Sequence, residues 1–190
     1  MDRSQDILAV IASWEEPRRV AAHALIAEIE AEALSRMRLM AGAAALGAWC
    51  AARGVPMGLV TRNTAASVAH LHTHHWQPPH VPFAPAVARD DGLPHKPHPA
   101  ALLRCAQAWG AEPSGCVMIG DSPRDDVVAG RRAGFHTILL VGELGRHGAA
   151  AAAGAAGLEG EKVPHATALS MEEVPSLLER HFEVPPLLAA

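Results

Sequence analysis

Thr61, Lys96 and Asp121 are far apart in the chain, yet each closes an apolar segment or stands where a helix begins beside one. In a parallel α/β sheet the strand carboxyl ends lie on one edge, so three such residues can share one crevice. Their chemistry is complementary. A hydroxyl beside helix-start amides binds phosphate oxygens, an ammonium neutralises phosphate and a neighbouring carboxylate, and a strand-end carboxylate offers hard oxygen to Mg²⁺. Taken together they imply a phosphorylated substrate, although Thr61 or Lys96 alone more often reads as a structural or solvated residue.

Asp121 is the sharpest of the three. Cys116-Val117-Met118-Ile119 suits a strand covered on both faces, Gly120 lets the backbone turn, and Ser122-Pro123 opens a helix. Ser122 fits the N-cap, Pro123 the first helical position, and Asp125 falls three residues after the cap. Asp125 and Asp126 add carboxylates one helical turn on, where they also meet the positive end of the helix dipole. Ordinary helix-start acids are an equally good reading of those two.

The elements that must hold these residues read as helical first, then alternating. Ile7, Leu8, Ile11 and Trp14 form one amphipathic series and Ala22, Leu25, Ile29, Ala33 and Met37 a second, which gives two opening helices in a segment 1–38. A third helix is expected from Ala43 to Arg53, and the strand Val55 to Val60 that follows is weakened by Pro56 and Gly58. A helix to about Leu71, a strand Phe83 to Val87, and a helix carrying Leu102, Leu103, Ala106 and Trp109 on one face come next. The strand Cys116 to Ile119, a helix Pro123 to Ala133 and a strand Thr137 to Val141 complete the alternation, with a last helix from Met171 past His181. Strands alternating with helices imply right-handed crossovers and a parallel sheet in a core, 39–190. The Ala/Gly-rich stretch 148–160 reads as a loose loop without chemistry.

Composition narrows the function classes. A chain of 190 residues that is 49% apolar fits one domain with a small insertion, and a net charge of −4 without a basic stripe disfavours nucleic acid and membrane surfaces as partners. Three scattered cysteines, Cys50, Cys105 and Cys116, form no CxxC pair and suit a reducing compartment. The start lacks a secretory pattern, so the cytoplasm is the default, with an organelle open if a targeting peptide precedes the sequence. His72, His74, His75 and His80 lie in a Pro-flanked stretch with no assurance that their rings converge, and read as a solvated loop. No GxxxxGK[ST] or GxGxxG is present, which excludes the glycine loops of P-loop and dinucleotide-binding proteins.

Around these residues the chain resembles the haloacid dehalogenase (HAD) superfamily of hydrolases. Leu59-Val60-Thr61-Arg62-Asn63 is similar to its second motif, Lys96-Pro97-His98-Pro99 to its third, and Gly120-Asp121-Ser122-Pro123-Arg124-Asp125-Asp126 to its fourth. Phe83-Ala84-Pro85 and Arg89-Asp90-Asp91 match the text before the lysine, and the contexts of Trp14 and Gly145-Arg146 resemble a plant and algal branch. The resemblance implies a Rossmann-like, three-layer α/β/α fold with a small N-terminal helical cap. It implies a Mg²⁺-dependent phosphatase that works on a small phosphorylated metabolite through an aspartyl-phosphate. Thr61 would then bind the phosphoryl group, with Arg62 and Asn63 shaping its pocket. Lys96 would steady phosphate and nucleophile, Asp121 would ligate Mg²⁺, and Asp125 would support the metal or the lysine.

The family's first strand, ending in Asp-x-Asp, has no counterpart in this sequence, and Asp2 has no apolar strand before it. Without that aspartate no covalent intermediate forms. The absent strand is the central one, so two inner edges are expected to face a gap. Two readings follow: a phosphatase whose sequence here is N-terminally incomplete, or a non-catalytic protein of the same fold that binds phosphate and Mg²⁺, with a partner strand or oligomer filling the gap.

Overall fold

In a computed structural model of the protein, residues 7–77, 80–142 and 157–187 are described. They fall in two compact units, Met1–Arg38 and Leu39–Ala190. The first holds α1 (Ile7–Ala12) and α2 (Arg18–Ser35). The Arg18 guanidinium lies 3.9 Å over the Trp14 ring, and Arg36 pairs with Glu32 at 2.7 Å, one turn earlier on α2. Gly145-Arg146 and most of the Ala/Gly-rich stretch lie outside the described residues.

The larger unit is α/β. Its helices are α3 (Ala43–Ala51), α4 (Ala65–His74), α5 (Ala100–Trp109), α6 (Val128–Ala133) and α7 (Val174–His181). Its strands are β1 (Leu59–Val60), β2 (Ala86–Val87), β3 (Val117–Gly120), β4 (His136–Leu140) and β5 (Ala166–Ala168). All strand pairs are parallel, and they form two groups, β1-β2 and β3-β4-β5. Among the described residues no strand pairs with the second edge of β1 or of β3, the division that the absent first strand implies.

Strand alternation builds the layers. Val117, Ile119, Ile138, Leu140 and Ala166 pack with Leu46 and Cys50 of α3 and Val174 and Leu178 of α7. Met118, on the opposite face, joins Val60 against Leu102 and Ala106 of α5 and Ala129 and Ala133 of α6. Leu139, 1% exposed, packs with Val127. Both strand groups therefore rest on the same helix layer, with Val60 and Met118 packed against one cluster built from α5 and α6.

Several elements differ from the sequence reading for local reasons. The first two strands shrink to two residues each, because Pro56 and Pro85 lack the N–H that a ladder needs. Leu103 is 41% exposed, and the buried face of α5 runs instead through Ala101, Leu102, Cys105 and Ala106. The helix after Asn63 continues to His74, so His72 and His74 are helical rather than in a loop. β5 went unread: Ala166-Thr167-Ala168 carries little hydrophobic signal, and it is set by pairing Ile138↔Ala166 and Leu140↔Ala168.

At the start of β4 and β5, the Thr137 and His165 side chains interlock. His165 Nδ1 accepts the Thr137 N–H at 3.0 Å, and the His165 N–H donates to Thr137 Oγ1 at 3.1 Å. Desolvation, then the Arg131 guanidinium and His136, hold the His165 pKa below its ordinary value. An imidazole so depressed favours the neutral ring in the fold, whereas the unfolded chain takes up a proton near pH 6.5. The contribution is therefore intact above that pH and is lost as pH falls below it. Thermal unfolding midpoints of the wild type should drop between pH 7.5 and 5.5 by more than those of His165→Gln; parallel drops would rule this out.

Candidate phosphate and metal site

Thr61 follows β1 directly, and its N–H completes the β1-β2 ladder by donating to the Val87 carbonyl at 2.9 Å. The Asn63 N–H donates to Thr61 Oγ1 at 3.1 Å, which curls the backbone around the hydroxyl. Thr64 caps α4, its Oγ1 accepting the Ser67 N–H at 3.2 Å. The loop is tied from the other side as well: the Arg89 N–H donates to the Asn63 carbonyl at 2.9 Å, and Asp90 Oδ1 accepts the Ala65 N–H at 2.8 Å. Asp90 thus joins the Thr61 loop to the segment after β2, a role its place beside Asp91 did not disclose.

Lys96 precedes α5 and reaches back across the open edge. Leu59 and Thr61 donate toward β2, so the Val60 carbonyl between them faces away from β2. It accepts from Lys96 Nζ at 2.9 Å, and the same nitrogen pairs with Asp126 Oδ1 at 2.7 Å. The side chains are 12% and 7% exposed. Lys96 therefore links the end of β1 to the turn after β3.

Asp126 is the residue that the sequence reading underused. Its Oδ2 accepts the N–H groups of Asp121 and Ser122, both at 3.0 Å. Gly120 makes this possible, because a β-carbon there would overlap the Asp126 carboxyl group. Ser122 caps the turn as expected, its Oγ accepting the Asp125 N–H at 3.1 Å. The N–H of Val127 then reaches back five residues to the Ser122 carbonyl at 3.1 Å. This widened turn accommodates one residue more than an α-helical turn and carries the second of two adjacent acids inward. Asp125 faces Ser122 Oγ at 3.3 Å, and the carboxylate that supports Lys96, expected to be that of Asp125, is that of Asp126.

Thr61, Arg62 and Lys96 line one cleft with His95, which sequence reasoning passed over despite its place next to the lysine. Asn63 contributes backbone rather than lining. Asp121 connects to this group through Asp126, which holds the Asp121 N–H with one oxygen and Lys96 with the other. As a donor set for Mg²⁺, the strand end is of the right kind: a hard-oxygen carboxylate in Asp121, for an ion that takes one or two carboxylates and completes its shell with water and phosphate. Asp126 is committed to Lys96 and two amides, and among the described residues no group of three or more His, Cys, Asp or Glu side chains is arranged to hold a metal. Asp121 is thus the residue of this strand end that would hold the ion.

The architecture is a Rossmann-like α/β fold with its polar groups at the strand carboxyl ends. The family profile described as "HAD-hyrolase-like" matches residues 94–165. A haloacid dehalogenase-like hydrolase domain-containing protein of Arabidopsis thaliana is 33% identical over 181 residues, covering 95% of this chain and 69% of the relative. A phosphoglycolate phosphatase of Nitrosococcus oceani is 37% identical over 94 residues, 49% of this chain and 40% of that protein. In fold, the chain is similar to the crystal structure of a predicted phosphoglycolate phosphatase from Haemophilus somnus, with a TM-score of 0.67 at 17% identity over 86% of this chain and 68% of that one. The protein belongs to the HAD-like hydrolase superfamily. It spans about two thirds of the plant relative's length. Among the described residues no helix is long and apolar enough to cross a membrane.

Proposed function

We propose that residues 1–190 form the phosphate-binding body of a Mg²⁺-dependent phosphatase for small phosphomonoesters. A strand from outside these residues, lodged between β1 and β3, would complete it with the carboxylate nucleophile. The observation that carries this reading is Lys96: a largely buried ammonium held at the open edge of β1 by the Val60 carbonyl and by Asp126. A cation fixed there meets both a carboxylate arriving on an inserted strand and the phosphoryl group it attacks.

In this mechanism the Thr61 hydroxyl and the amides of its loop hold the transferring oxygens, and Arg62 at the cleft adds charge to orient them. Asp121 would hold Mg²⁺, which supplies charge neutralisation at the phosphate when bound. Asp126 keeps Lys96 in place with one oxygen and fixes the Asp121 backbone with the other, which would hold the two groups in a constant relation during the reaction. The carboxylate supplied by the inserted strand would attack phosphorus and break the bond to the ester oxygen, which takes a proton from solvent water as it leaves; a second water would then cleave the acyl phosphate, returning the carboxylate and releasing phosphate and a proton.

The test is phosphate release from a panel of small phosphomonoesters with Mg²⁺, using the protein isolated from its native source at its full native length. Turnover is expected, with Asp121→Asn lower by at least about a hundredfold, the loss typical of one strong electrostatic group. Tight binding of phosphomonoesters without release would replace hydrolysis by the phosphate-binding reading.

A further inference from the structure

The histidine-rich end of α4 sorts into two groups. His72 and His80 are absorbed by packing. His72 Nε2 accepts the Phe83 N–H at 3.3 Å while its ring stacks on Phe83, and His80 stacks on the buried Trp76 at 4.7 Å. His70 and His74 do something else. They are four residues apart within α4 and lie on one helical face, with ring centroids 4.4 Å apart and planes inclined by 44°. His75 stands further off, 5.6 Å from His70 and 6.5 Å from His74.

The separation of the first pair is close to what a shared ion requires. With metal–nitrogen bonds of about 2.0–2.1 Å, two imidazoles at roughly 90–110° about one ion have ring centroids about 4.5–5.2 Å apart. The 4.4 Å separation of His70 and His74 lies just short of that range, on a helix whose backbone fixes their spacing. The same i, i+4 arrangement places paired histidines of helical zinc sites on one face.

We propose that His70 and His74 form a two-histidine clamp for a borderline divalent transition ion of the zinc class, with water or an external ligand in the other positions. The donors are imidazole nitrogens, so the site selects against the hard ions that prefer carboxylate oxygen. It is separate from Asp121 and does not rest on the phosphatase reading. The three cysteines are buried, so thiols do not compete for the ion in the folded protein.

Zn²⁺ titration of the full chain by calorimetry, in a buffer that does not chelate, tests the proposal. The expected result is one ion per chain at micromolar affinity, weakened at least tenfold by His70→Gln and equally by His74→Gln. His98→Gln, at a histidine outside the clamp, should leave the affinity within twofold of wild type. Metal-free circular dichroism of each variant checks that α4 is intact. Absence of Zn²⁺ binding by the wild type, or affinity unchanged in either clamp variant with its helix intact, would overturn the assignment.

Discussion

Asp126→Ala is expected to lower the stability of the larger unit by about 3–5 kcal/mol, the range seen when one partner of a buried ion pair is removed. For a domain of this size that is a fall in melting temperature of roughly 6–20 °C. The reason is that one carboxylate serves three donors. Without it, the Lys96 ammonium keeps only the Val60 carbonyl, and the N–H groups of Asp121 and Ser122 lose their acceptor at the point where the chain leaves β3. Asp125→Ala, one residue away, should cost under about 1 kcal/mol, because the Asp125 N–H bond to Ser122 Oγ survives and only a side-chain contact at 3.3 Å is lost. Thermal unfolding of the two variants side by side settles the matter; equal losses would mean that the inward acid has been misassigned.

That pair of adjacent acids also marks where the sequence stopped being legible. The β3 strand, the Ser122 cap, the placing of Thr61 and Asp121 at strand ends and that of Lys96 before a helix could all be read, because each follows from a local pattern: an apolar run, a turn glycine, a cap residue. Which acid points inward could not be read that way. The spacing after Ser122 favours Asp125 if the helix starts as an α-turn. The observed turn is wider by one residue, and the choice is made by Gly120, whose missing side chain leaves room for Asp126. The histidines failed for a similar reason. The end of α4 at His74 rather than near Leu71 depends on Trp76, buried and donating its indole N–H to the Val81 carbonyl at 2.8 Å, a contact that no periodicity reveals. β5 is fixed by its neighbour β4, since three small residues carry no strand signal of their own.

The open edge between β1 and β3 was legible as an absence, and it gives Lys96 two roles that one experiment can separate. As a structural strut, the ammonium ties Val60 on β1 to Asp126 beyond β3 and stands in for part of the missing pairing. As a catalytic group under the phosphatase reading, it would stabilise charge that develops only while phosphate is transferred, a contribution of about a hundred- to a thousandfold in turnover. Lys96→Ala in the native-length protein should therefore lower both quantities: stability, by leaving Asp126 buried with two amides alone, and kcat per folded molecule, by that factor of about 10² to 10³. The fall should lie in kcat more than in KM, because Thr61 and its loop amides still hold the ground-state phosphate. Lys96→Arg is expected to recover much of the stability, since a guanidinium can still pair with Asp126, but little of the turnover, since a planar fork does not place its charge where a compact ammonium does. A variant that loses stability while each folded molecule turns over at the wild-type rate would leave Lys96 as a strut alone. The nucleophile's counter-charge would then have to be sought at Arg62 or His95 in the same cleft.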